Sequence, residues 1–369
     1  MNFSEFQFQT NIQAGINACG YTHPTPIQSR AIVPALQGRD VMGLAQTGTG
    51  KTAAFALPIL EKLMQGRRGR IRSLVLSPTR ELAEQTLEEF ESLGQKTGLR
   101  TVSVYGGVSK FGQIKKIRSG ADVVVACPGR LLDLLGDRAV DLSHVEFFVL
   151  DEGDRMLDMG FMPDIRSIIE HLPGVRQNML FSATMPGDIG RLAEDILNDP
   201  VRVKVDHEQA LKSITQSFYP VERMPKPEML LRLLKQKKDE STLVFTRTKH
   251  MAKKLARRLS SAGLQARELQ GNMSQNNRRK VLDGFKKGSF SILVATDIAS
   301  RGLDVSGIAH VINYDMPDTA EAYTHRIGRT GRASQSGEAS TFVESKHFGL
   351  IRAIERKQKQ RLQRKSLAM

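Results

Sequence analysis

The sequence predicts an α/β protein of two domains, each a mostly parallel sheet flanked by helices. Short runs rich in Val, Leu and Phe alternate with longer amphipathic segments, as is typical of strands that helices cover on both faces. The alternation pauses near residues 206–214 and then starts again. A chain of 369 residues also has the length expected of about two domains. We therefore predict one domain over residues 1–208 and a second over residues 209–369.

The first half contains six apolar runs that predict the strands of one sheet. They are nearly continuous in apolar residues, which favours parallel strands over alternating, half-exposed ones. Helical periodicity is clearest over residues 79–94 and 188–199, and Gly94 stands where the first of these helices would end. The predicted strands span residues 40–45, 73–77, 101–105, 122–126, 147–151 and 177–183.

The second half repeats this pattern, so we predict that the two halves share one architecture. Helices are predicted over residues 250–263 and 274–288, where apolar residues recur at helical spacing. The predicted strands span residues 217–221, 241–245, 265–270, 290–296, 310–314 and 339–343.

Composition excludes several classes of protein. Hydrophobic residues make up 40% of the chain, which argues against a disordered or fibrous protein. No apolar run approaches the roughly 20 residues that span a bilayer, and the N-terminus has no signal-peptide pattern. Only Cys19 and Cys127 are present, so a disulfide framework is excluded and a reducing compartment is expected. We expect neither secretion nor membrane insertion.

The charge is unevenly distributed along the chain. Lys and Arg number 54 against 39 Asp and Glu, a net charge of +15. Residues 1–208 carry a net charge of −2, whereas residues 209–369 carry +17. Such asymmetry favours a polyanionic partner, of which nucleic acid is the commonest. A generally basic protein without such a partner is the alternative that charge alone leaves open.

The segment AQTGTGKT (45–52) follows a predicted strand and opens a helix, which is the context of a phosphate-binding loop. Its glycines allow backbone N–H groups to point at phosphate oxygens, and Lys51 would reach the β- and γ-phosphates. Thr52 would offer its hydroxyl to Mg²⁺. Ala45 stands where the general pattern has Gly, and an ordinary Gly-rich turn is the alternative. The predicted nucleotide-binding residues here are Thr47, Gly48, Thr49, Gly50, Lys51 and Thr52.

The segment DEGD (151–154) directly follows the predicted strand FFVL. Acidic side chains at the end of a buried strand are costly unless they bind something. Asp151 would hold Mg²⁺ through its water shell, and Glu152 would orient and help deprotonate the attacking water. A helix start with acidic first-turn residues is the alternative. The phosphate loop about 100 residues earlier favours the catalytic interpretation.

Together with further motifs in a fixed order, the chain resembles the DEAD-box ATP-dependent RNA helicases of superfamily 2. The resemblance covers Phe3 to about Glu344 and implies two tandem RecA-like domains, ATP and Mg²⁺ as ligands, and RNA as partner. The short form resembles the bacterial branch of the family, which implies a cytoplasmic protein. The motifs are GYTHPTPIQ (20–28), PTRELA (78–83), GG (106–107), CPGR (127–130), SAT (182–184), FTRT (245–248), QGNMSQNNR (270–278), ATDIASRGLD (295–304) and HRIGRTGR (325–332).

The resemblance assigns roles around the nucleotide. Gln28 would read the edge of adenine, and Phe3 would pack on the base, although by itself Phe3 suits a core position. Asp304 would bind the ribose, and Arg329 and Arg332 would act as arginine fingers on the γ-phosphate. The residues that would couple hydrolysis to strand separation are Asp154 with its partners Ser182 and Thr184, and His325 and Arg326, which would connect the last motif to the first domain.

The resemblance also implies an RNA-holding surface that contacts sugar and phosphate rather than base edges. Sequence preference should then be weak, and affinity should fall steeply with salt. The implied RNA-binding residues are Thr79, Arg80, Gly107, Gly129 and Arg130 in the first half and Gln275, Arg278, Thr296, Arg301 and Gly302 in the second, with Asp297 on the same coupling surface.

The chain departs from the family pattern at a few positions. Gly153 replaces the usual Ala of the acidic motif, and its extra backbone freedom, about 0.5–1 kcal/mol, would loosen coupling while the chemistry survives. Cys127 stands where Thr is usual, which would weaken one RNA contact. Ser300 and Ser306 fall where Ala and Pro are frequent, and we expect little effect. No group that the reaction needs is lost.

Two other functions stay open at this point. One is a DNA-translocating superfamily 2 helicase, against which the GYTHPTPIQ, PTRELA and HRIGRTGR motifs argue. The other is an RNA clamp or annealing protein with a weak ATPase, motivated by Gly153 and by the basic tail. From Glu344 onwards the tail carries eight basic and two acidic residues. It is either a solvated final helix or an extra RNA-holding arm, with Leu350, Ile351, Ile354 and Leu362 as its apolar stripe.

Overall fold

The computed structural model describes residues 2–46, 48–205, 213–222, 224–237, 240–297, 308–331 and 336–367, apart from the side chain of Gln275. The chain divides into two compact units, Met1–Asp206 and His207–Met369. Each unit contains one seven-stranded parallel sheet flanked by helices, so the predicted fold class is confirmed. Most of the predicted linker at 206–214 lies outside the described residues, and the domain boundary after residue 208 stays a prediction.

The first sheet has the strand order β3-β4-β2-β5-β6-β1-β7, and all of its strands are parallel. The six runs predicted from the sequence are all strands within one or two residues. The bounds are β1 Val41–Leu44, β2 Ser73–Leu76, β3 Thr101–Val104, β4 Val123–Ala126, β5 Phe147–Asp151, β6 Gln177–Ser182 and β7 Val201–Lys204.

Helices cover both faces of this sheet, and each face has its own apolar core. Phe55, Phe90 and Phe181 pack in one core, and Phe148 and Leu180 pack in the other. Phe181 and Leu180 point to opposite faces because neighbouring strand residues alternate. A 3₁₀ helix spans Phe3–Phe6, and the α-helices are α1 Thr10–Ala18, α2 Pro26–Leu36, α3 Lys51–Leu63, α4 Arg80–Leu93, α5 Lys110–Arg118, α6 Pro128–Gly136, α7 Gly153–Asp158, α8 Met162–Ile169 and α9 Gly187–Ile196.

The second sheet has the order β10-β11-β9-β12-β13-β8-β14 and is also parallel throughout. Its strands are β8 Ile214–Pro220, β9 Thr242–Phe245, β10 Ala266–Leu269, β11 Ile292–Ala295, β12 His310–Asn313, β13 Gly337–Val343 and β14 Gln363–Arg364. Its α-helices are α10 Lys226–Gln236, α11 Lys249–Ser261, α12 Gln275–Lys286, α13 Ala320–Ile327 and α14 Phe348–Gln358, and a 3₁₀ helix spans Ser345–His347.

Two edge strands were not predicted. β7 reads VRVK with only Val203 buried, and β14 has only two residues, so neither forms the continuous apolar run that marks the central strands. The tail is nevertheless part of the second unit. Ile351, Ile354 and Leu362 are buried in its core, and Leu350 packs against that core. The apolar stripe predicted in the tail therefore holds the tail to the second unit.

Within the described part of the chain, every helix is too short or too polar to cross a membrane.

Candidate functional site

The motifs for nucleotide chemistry lie at the carboxyl ends of three neighbouring strands. The order β5-β6-β1 brings together the ends of the strands that precede DEGD, SAT and the phosphate loop. In open parallel sheets this edge is where ligands bind. The fold therefore brings together three segments that are far apart in the sequence.

The phosphate loop has the backbone that its glycines predict. Gly48 and Gly50 have φ values of 84° and 87°, in the region that favours glycine. A Cβ on Gly50 would stand 2.5 Å from Nε2 of Gln28 and would strain the backbone, so a larger residue would displace Gln28. Gln28 donates from Nε2 to the Gly50 carbonyl at 3.1 Å and accepts from the Thr25 N–H at 2.8 Å. The predicted adenine-reading residue is thus tied directly to the phosphate loop.

A buried ion cluster joins the phosphate loop to the acidic motif. Nζ of Lys51 lies 2.9 Å from Oε1 of Glu152, and Nε of Arg155 lies 3.0 Å from Oε2 of the same carboxylate. All three residues are at most 5% exposed. One carboxylate is therefore held by two cations, because a charge buried there would otherwise be strongly unfavourable. Arg155 was not singled out from the sequence, where it is an ordinary helix residue; only its i,i+3 spacing from Glu152 could have signalled it.

Glu152 has an unusual backbone for a residue with a side chain. Its φ and ψ are 57° and 49°, and it caps α7, so that its carbonyl accepts from the N–H groups of Arg155 and Met156. A left-handed conformation costs a non-glycine residue roughly 1–3 kcal/mol, and such strain clusters at functional sites. From this backbone the Glu152 side chain contacts both Lys51 and Arg155.

Asp151 is buried beside this cluster. Burial raises its pKa to about 6, although the nearby Lys51 charge opposes that rise. Its Oδ1 has no hydrogen-bond donor among the described residues. An oxygen of this kind fits a hydrated Mg²⁺, as does the hydroxyl of Thr52 at the start of α3. The described residues contain no group of three or more His, Cys, Asp or Glu that could bind a metal alone, so such an ion would depend on phosphate and water ligands as well.

The structure brings the three predicted coupling residues of the first unit together. Oδ2 of Asp154 accepts from the Thr184 N–H at 2.8 Å and from the Thr184 hydroxyl at 2.9 Å. The Ser182 hydroxyl accepts from the Asp154 N–H at 3.1 Å and donates to the Thr184 carbonyl at 2.7 Å. Gly153 does not disturb this network. A Cβ at Gly153 would lie 3.7 Å from Ile189 Cδ1, an ordinary contact.

The predicted RNA-binding residues of the first unit lie at the ends of β2, β3 and β4, which are also neighbours. Thr79 caps α4, its hydroxyl accepting from the Leu82 N–H at 3.3 Å. Gly107 has a φ of 84°, and a Cβ there would be 2.0 Å from Nη1 of Arg80, so Arg80 packs directly on the GG backbone. Thr79, Arg80 and Gly107 thus share one patch.

Gly129 and Arg130 lie in the first turn of α6, at the end of β4. Nη1 of Arg130 donates to the Val108 carbonyl at 3.2 Å, which links this helix to the GG loop. Cys127 caps α6, and burial raises its pKa to about 12. Its thiol is therefore neutral at physiological pH and makes no side-chain cap, which a Thr hydroxyl at that position could make.

In the second unit, Arg326 is a buried anchor. Its Nε and Nη2 donate to the two carboxylate oxygens of Asp297 at 2.7 and 2.6 Å, and Nη1 donates to Asn313 Oδ1 at 3.2 Å and to the Asp315 carbonyl at 2.6 Å. Its guanidinium also lies 5.0 Å from the Phe245 ring centroid. Arg326 therefore fixes α13 to the strand ends of its own unit. Its predicted link to the first domain stays a prediction.

The remaining predicted residues are placed as follows. Phe3 is buried against Tyr21, with ring centroids 5.9 Å apart, which agrees with a core position. Arg278 in α12 is buried, and its Nη1 donates to the Gln270 carbonyl at 3.4 Å. Thr296 follows β11, His325 lies in α13, Arg329 follows α13, and Gln275 opens α12. Thr47, Arg301, Gly302, Asp304 and Arg332 lie outside the described residues.

Comparison with known proteins assigns both units to families. Residues 25–192 match the DEAD/DEAH box helicase family, and residues 225–334 match the helicase conserved C-terminal domain. The chain is 44% identical over 363 residues to the ATP-dependent RNA helicase CshA of Listeria monocytogenes, covering 98% of this chain and 69% of that protein. It is 45% identical over 343 residues to the DEAD-box ATP-dependent RNA helicase RhpA of Helicobacter pylori, covering 93% of this chain and 69% of the relative.

A solved structure agrees with these relatives. S. cerevisiae Dbp5 bound to RNA and ADP BeF3 superposes with a TM-score of 0.88 at 30% identity, covering 99% of this chain and 95% of that one. The chain belongs to the DEAD-box ATP-dependent RNA helicases. It is an RNA-stimulated ATPase that binds ATP and acts on RNA.

Proposed function

We propose that this helicase hydrolyses ATP at the carboxyl edge of the first sheet, with Lys51, Asp151 and Glu152 as its catalytic residues there. The observation that carries this proposal is the buried contact between Lys51 and Glu152, 2.9 Å long, which joins the phosphate loop to the acidic motif. Buried charges that meet at a ligand-binding sheet edge are typical of a catalytic centre.

Lys51 and Glu152 would exchange partners when a triphosphate binds. The phosphates compete with Glu152 for the Lys51 ammonium, and Oε1 of Glu152 is then released to accept a proton from the attacking water. The glycines of the loop, together with Thr47 and Thr49, would complete the phosphate cradle. Asp151 and Thr52 would hold Mg²⁺, which when bound supplies charge neutralisation on the phosphates.

We also propose that Arg155 is a positioning residue. It keeps Oε2 of Glu152 engaged at 3.0 Å, so that Glu152 retains one cation after Lys51 turns to the phosphates. A carboxylate that lost both cations while buried would bind a proton and stop acting as a base. Arg155 therefore preserves both the orientation and the charge of Glu152.

Binding of the base and the ribose is proposed for Gln28, Phe3 and Asp304. The contact between Gln28 and the Gly50 carbonyl supports a link between adenine recognition and phosphate binding. Gln28 has a second amide hydrogen that an adenine acceptor could use. Phe3 would contribute to base binding indirectly, through its packing against Tyr21.

Transition-state charge is proposed to be stabilised by Arg329 and Arg332 when ATP and RNA are both bound. The relative Dbp5, whose structure is titled as bound to RNA and ADP BeF3, supports simultaneous binding of the two ligands. An arginine finger contributes roughly 10³–10⁵ in rate in other NTPases. Asp154, Ser182, Thr184, His325 and Arg326 would couple the nucleotide to RNA, and the intact Asp154 network supports that role.

RNA is proposed to lie on the two sets of residues at the carboxyl edges. Backbone N–H groups at Gly107 and Gly129 and the side chains of Thr79, Arg80 and Arg130 suit phosphate oxygens. In the second domain the set is Gln275, Arg278, Thr296, Arg301 and Gly302.

We further propose that unwinding is local and non-processive and that the domains span residues 1–208 and 209–369. We also propose that this short, bacterial-type form with DEGD works in the cytoplasm.

The test is steady-state ATP hydrolysis with and without single-stranded RNA, for the parent chain and for Glu152→Gln and Arg329→Ala. We expect RNA to raise the rate severalfold, single-stranded DNA to leave it unchanged, and each substitution to lower the stimulated rate by about 100-fold or more. Unwinding that proceeds equally without ATP would instead identify an RNA clamp.

A further inference from the structure

A groove opens at the edge of the second sheet, outside the residues assigned above to ATP or RNA. It follows β10 and is flanked by α11 and α12. It consists of two adjoining cavities of about 660 and 680 Å³. The two cavities share Ser260 of α11, Ala266 and Arg267 of β10, and Lys280 and Val281 of α12. They therefore form one continuous channel along the strand.

The strand in this groove has one hydrogen-bonding side open. Among the strands that the structure describes, β10 lies at the edge of the sheet and pairs with β11 alone. The Ile292 N–H donates to the Gln265 carbonyl, and Ala266 lies opposite Ile292. In a parallel pair alternate residues bond the partner strand, so Gln265, Arg267 and Leu269 face β11. The backbone groups of Ala266 and Glu268 consequently point into the groove, where the Ser260 hydroxyl donates to the Ala266 carbonyl at 3.2 Å.

The walls of the groove are strongly basic. Lys253 and Arg257 of α11, Arg267 of β10 and Lys280 of α12 all line it, and all four are exposed. Among the described residues none of the four has an acidic partner within ion-pair distance. Glu268 is the one acidic residue in the described lining. The described lining thus carries four cations against one carboxylate, beside the backbone groups of Ala266 and Glu268.

The two flanking helices lie on opposite faces of the sheet. Ala256 and Leu259 of α11 share a core with Ala266, whereas Phe285 of α12 shares the other core with Leu269. Apolar surface from Ala256, Val281 and Phe290 forms the floor. A strand laid beside β10 would therefore turn alternate side chains toward Lys253 and Arg257 on one face and toward Lys280 on the other.

We propose that this groove binds an extended acidic segment of a partner protein, which adds an eighth strand to the sheet beside β10. Backbone hydrogen bonds to Glu268 and to the Ala266 N–H would give affinity, whereas the Ala266 carbonyl already accepts from Ser260. Acidic side chains of the partner would pair with the surrounding cations. The four residues of β10 span roughly 13 Å, enough for a four-residue pairing. The open backbone favours a peptide over RNA, because a nucleic acid cannot supply alternating amide donors and acceptors in strand register.

The test uses fluorescein-labelled octapeptides with glutamate at alternate positions and threonine or valine between them, titrated into the full chain. Two matched peptides isolate the two interactions: one carries lysine in place of glutamate, and one is N-methylated at alternate amides, which removes strand donors without changing charge. We expect saturable binding of the glutamate peptide that weakens with salt, at least 10-fold weaker binding of the N-methylated peptide, and none of the lysine peptide.

Substitutions inside and outside the groove test where the peptide binds. The double substitution Arg257→Glu with Lys280→Glu should weaken the glutamate peptide at least 10-fold. Lys235→Glu, an exposed lysine at the end of α10 that does not line the groove, is the matched control and should change binding less than 2-fold. Thermal melting should be similar for all three proteins, and the basal ATPase rate should be unchanged. Amide exchange of Glu268 should slow when the peptide binds.

Four results would overturn the proposal. Absent binding of every glutamate peptide would remove the peptide site, and equal binding of the N-methylated peptide would leave only unspecific charge attraction. Loss of single-stranded RNA affinity in the double variant, with no peptide binding, would assign the groove to nucleic acid instead. A dimer in sedimentation that the double variant abolishes would make a second copy of this chain the occupant.

Discussion

Lys51 and Glu152 form a buried ion pair, with 2.9 Å between Nζ and Oε1, although 101 residues separate them in the sequence. The pair exists because β1 and β5 end at the same sheet edge with only β6 between them. The residue that we propose to bind phosphate and the residue that we propose to activate water thus share one electrostatic contact.

The first prediction concerns the energy of this contact. Lys51→Met should lower the free energy of unfolding of the first unit by about 3 kcal/mol, because it leaves a buried carboxylate with one cation fewer. Glu152→Gln combined with Lys51→Met should cost less than the sum of the single changes. Urea unfolding of the four proteins gives this coupling energy. Strict additivity would show that the pair contributes no interaction of its own.

The second prediction separates positioning from folding at Arg155. Arg155→Met should lower kcat for ATP about 10- to 100-fold and change KM less than 3-fold, because we propose that Arg155 acts through its contact with Glu152. Arg155→Lys, which keeps a cation near Oε2, should recover part of kcat. Steady-state kinetics with saturating RNA measures both constants. An equal loss in both variants, accompanied by a lower melting temperature, would indicate a purely structural residue.

The third prediction concerns the acidic motif. Gly153→Ala should raise the free energy of unfolding by about 0.5–1 kcal/mol, because the added Cβ makes only ordinary contacts and the unfolded chain loses freedom. Equilibrium denaturation measures this gain. RNA stimulation of the ATPase should be at least as strong as in the parent chain.

Gly107→Ala provides the contrast to that change. Its φ of 84° disfavours a side chain, and a Cβ would stand 2.0 Å from Arg80 Nη1. Arg80 must move, so RNA affinity should fall by roughly 10-fold while ATP affinity is unchanged. RNA binding by fluorescence anisotropy distinguishes the two glycines, and equal behaviour of both variants would contradict the packing argument.

The fourth prediction is a pH dependence of stability. Burial of His310 lowers its pKa to about 4, and its Nε2 contacts the Ser340 hydroxyl at 2.8 Å. In the unfolded state the pKa of His310 is near 6.5, so the unfolded chain binds the proton more readily than the folded one. The contribution of His310 to the free energy of unfolding of the second unit is therefore greatest above pH 6.5. It should decline by roughly 3 kcal/mol as the pH falls to 4.

His310→Asn should remove most of this slope, because the amide does not titrate. Denaturation midpoints between pH 4 and 7 for the two proteins provide the measurement. Parallel curves would show that other groups cause the acid sensitivity.

Sequence patterns predicted the parts of the fold that depend on continuous burial. The central strands were found because Val, Leu and Phe fill both faces of each, whereas β7 and β14 lie at edges and carry no such run. The family resemblance predicted that Asp154, Ser182 and Thr184 would meet. It did not predict Arg155, because the partner of a buried arginine depends on the left-handed backbone of Glu152. The basic groove was not predicted either, because its cations lie on three separate elements, α11, β10 and α12.

The buried thiol of Cys127 determines how the protein can be labelled. Only a thiolate attacks maleimides and disulfides readily, and a pKa near 12 leaves almost none at neutral pH. Burial and the charge of Glu89 also raise the pKa of Cys19, the other cysteine of the chain. Cys127 therefore reacts little with thiol reagents in the native protein, whereas Cys19 is only partly buried. A cysteine introduced at an exposed position such as Lys235 could be labelled with a fluorescent dye once Cys19 is replaced, and Cys127 could stay.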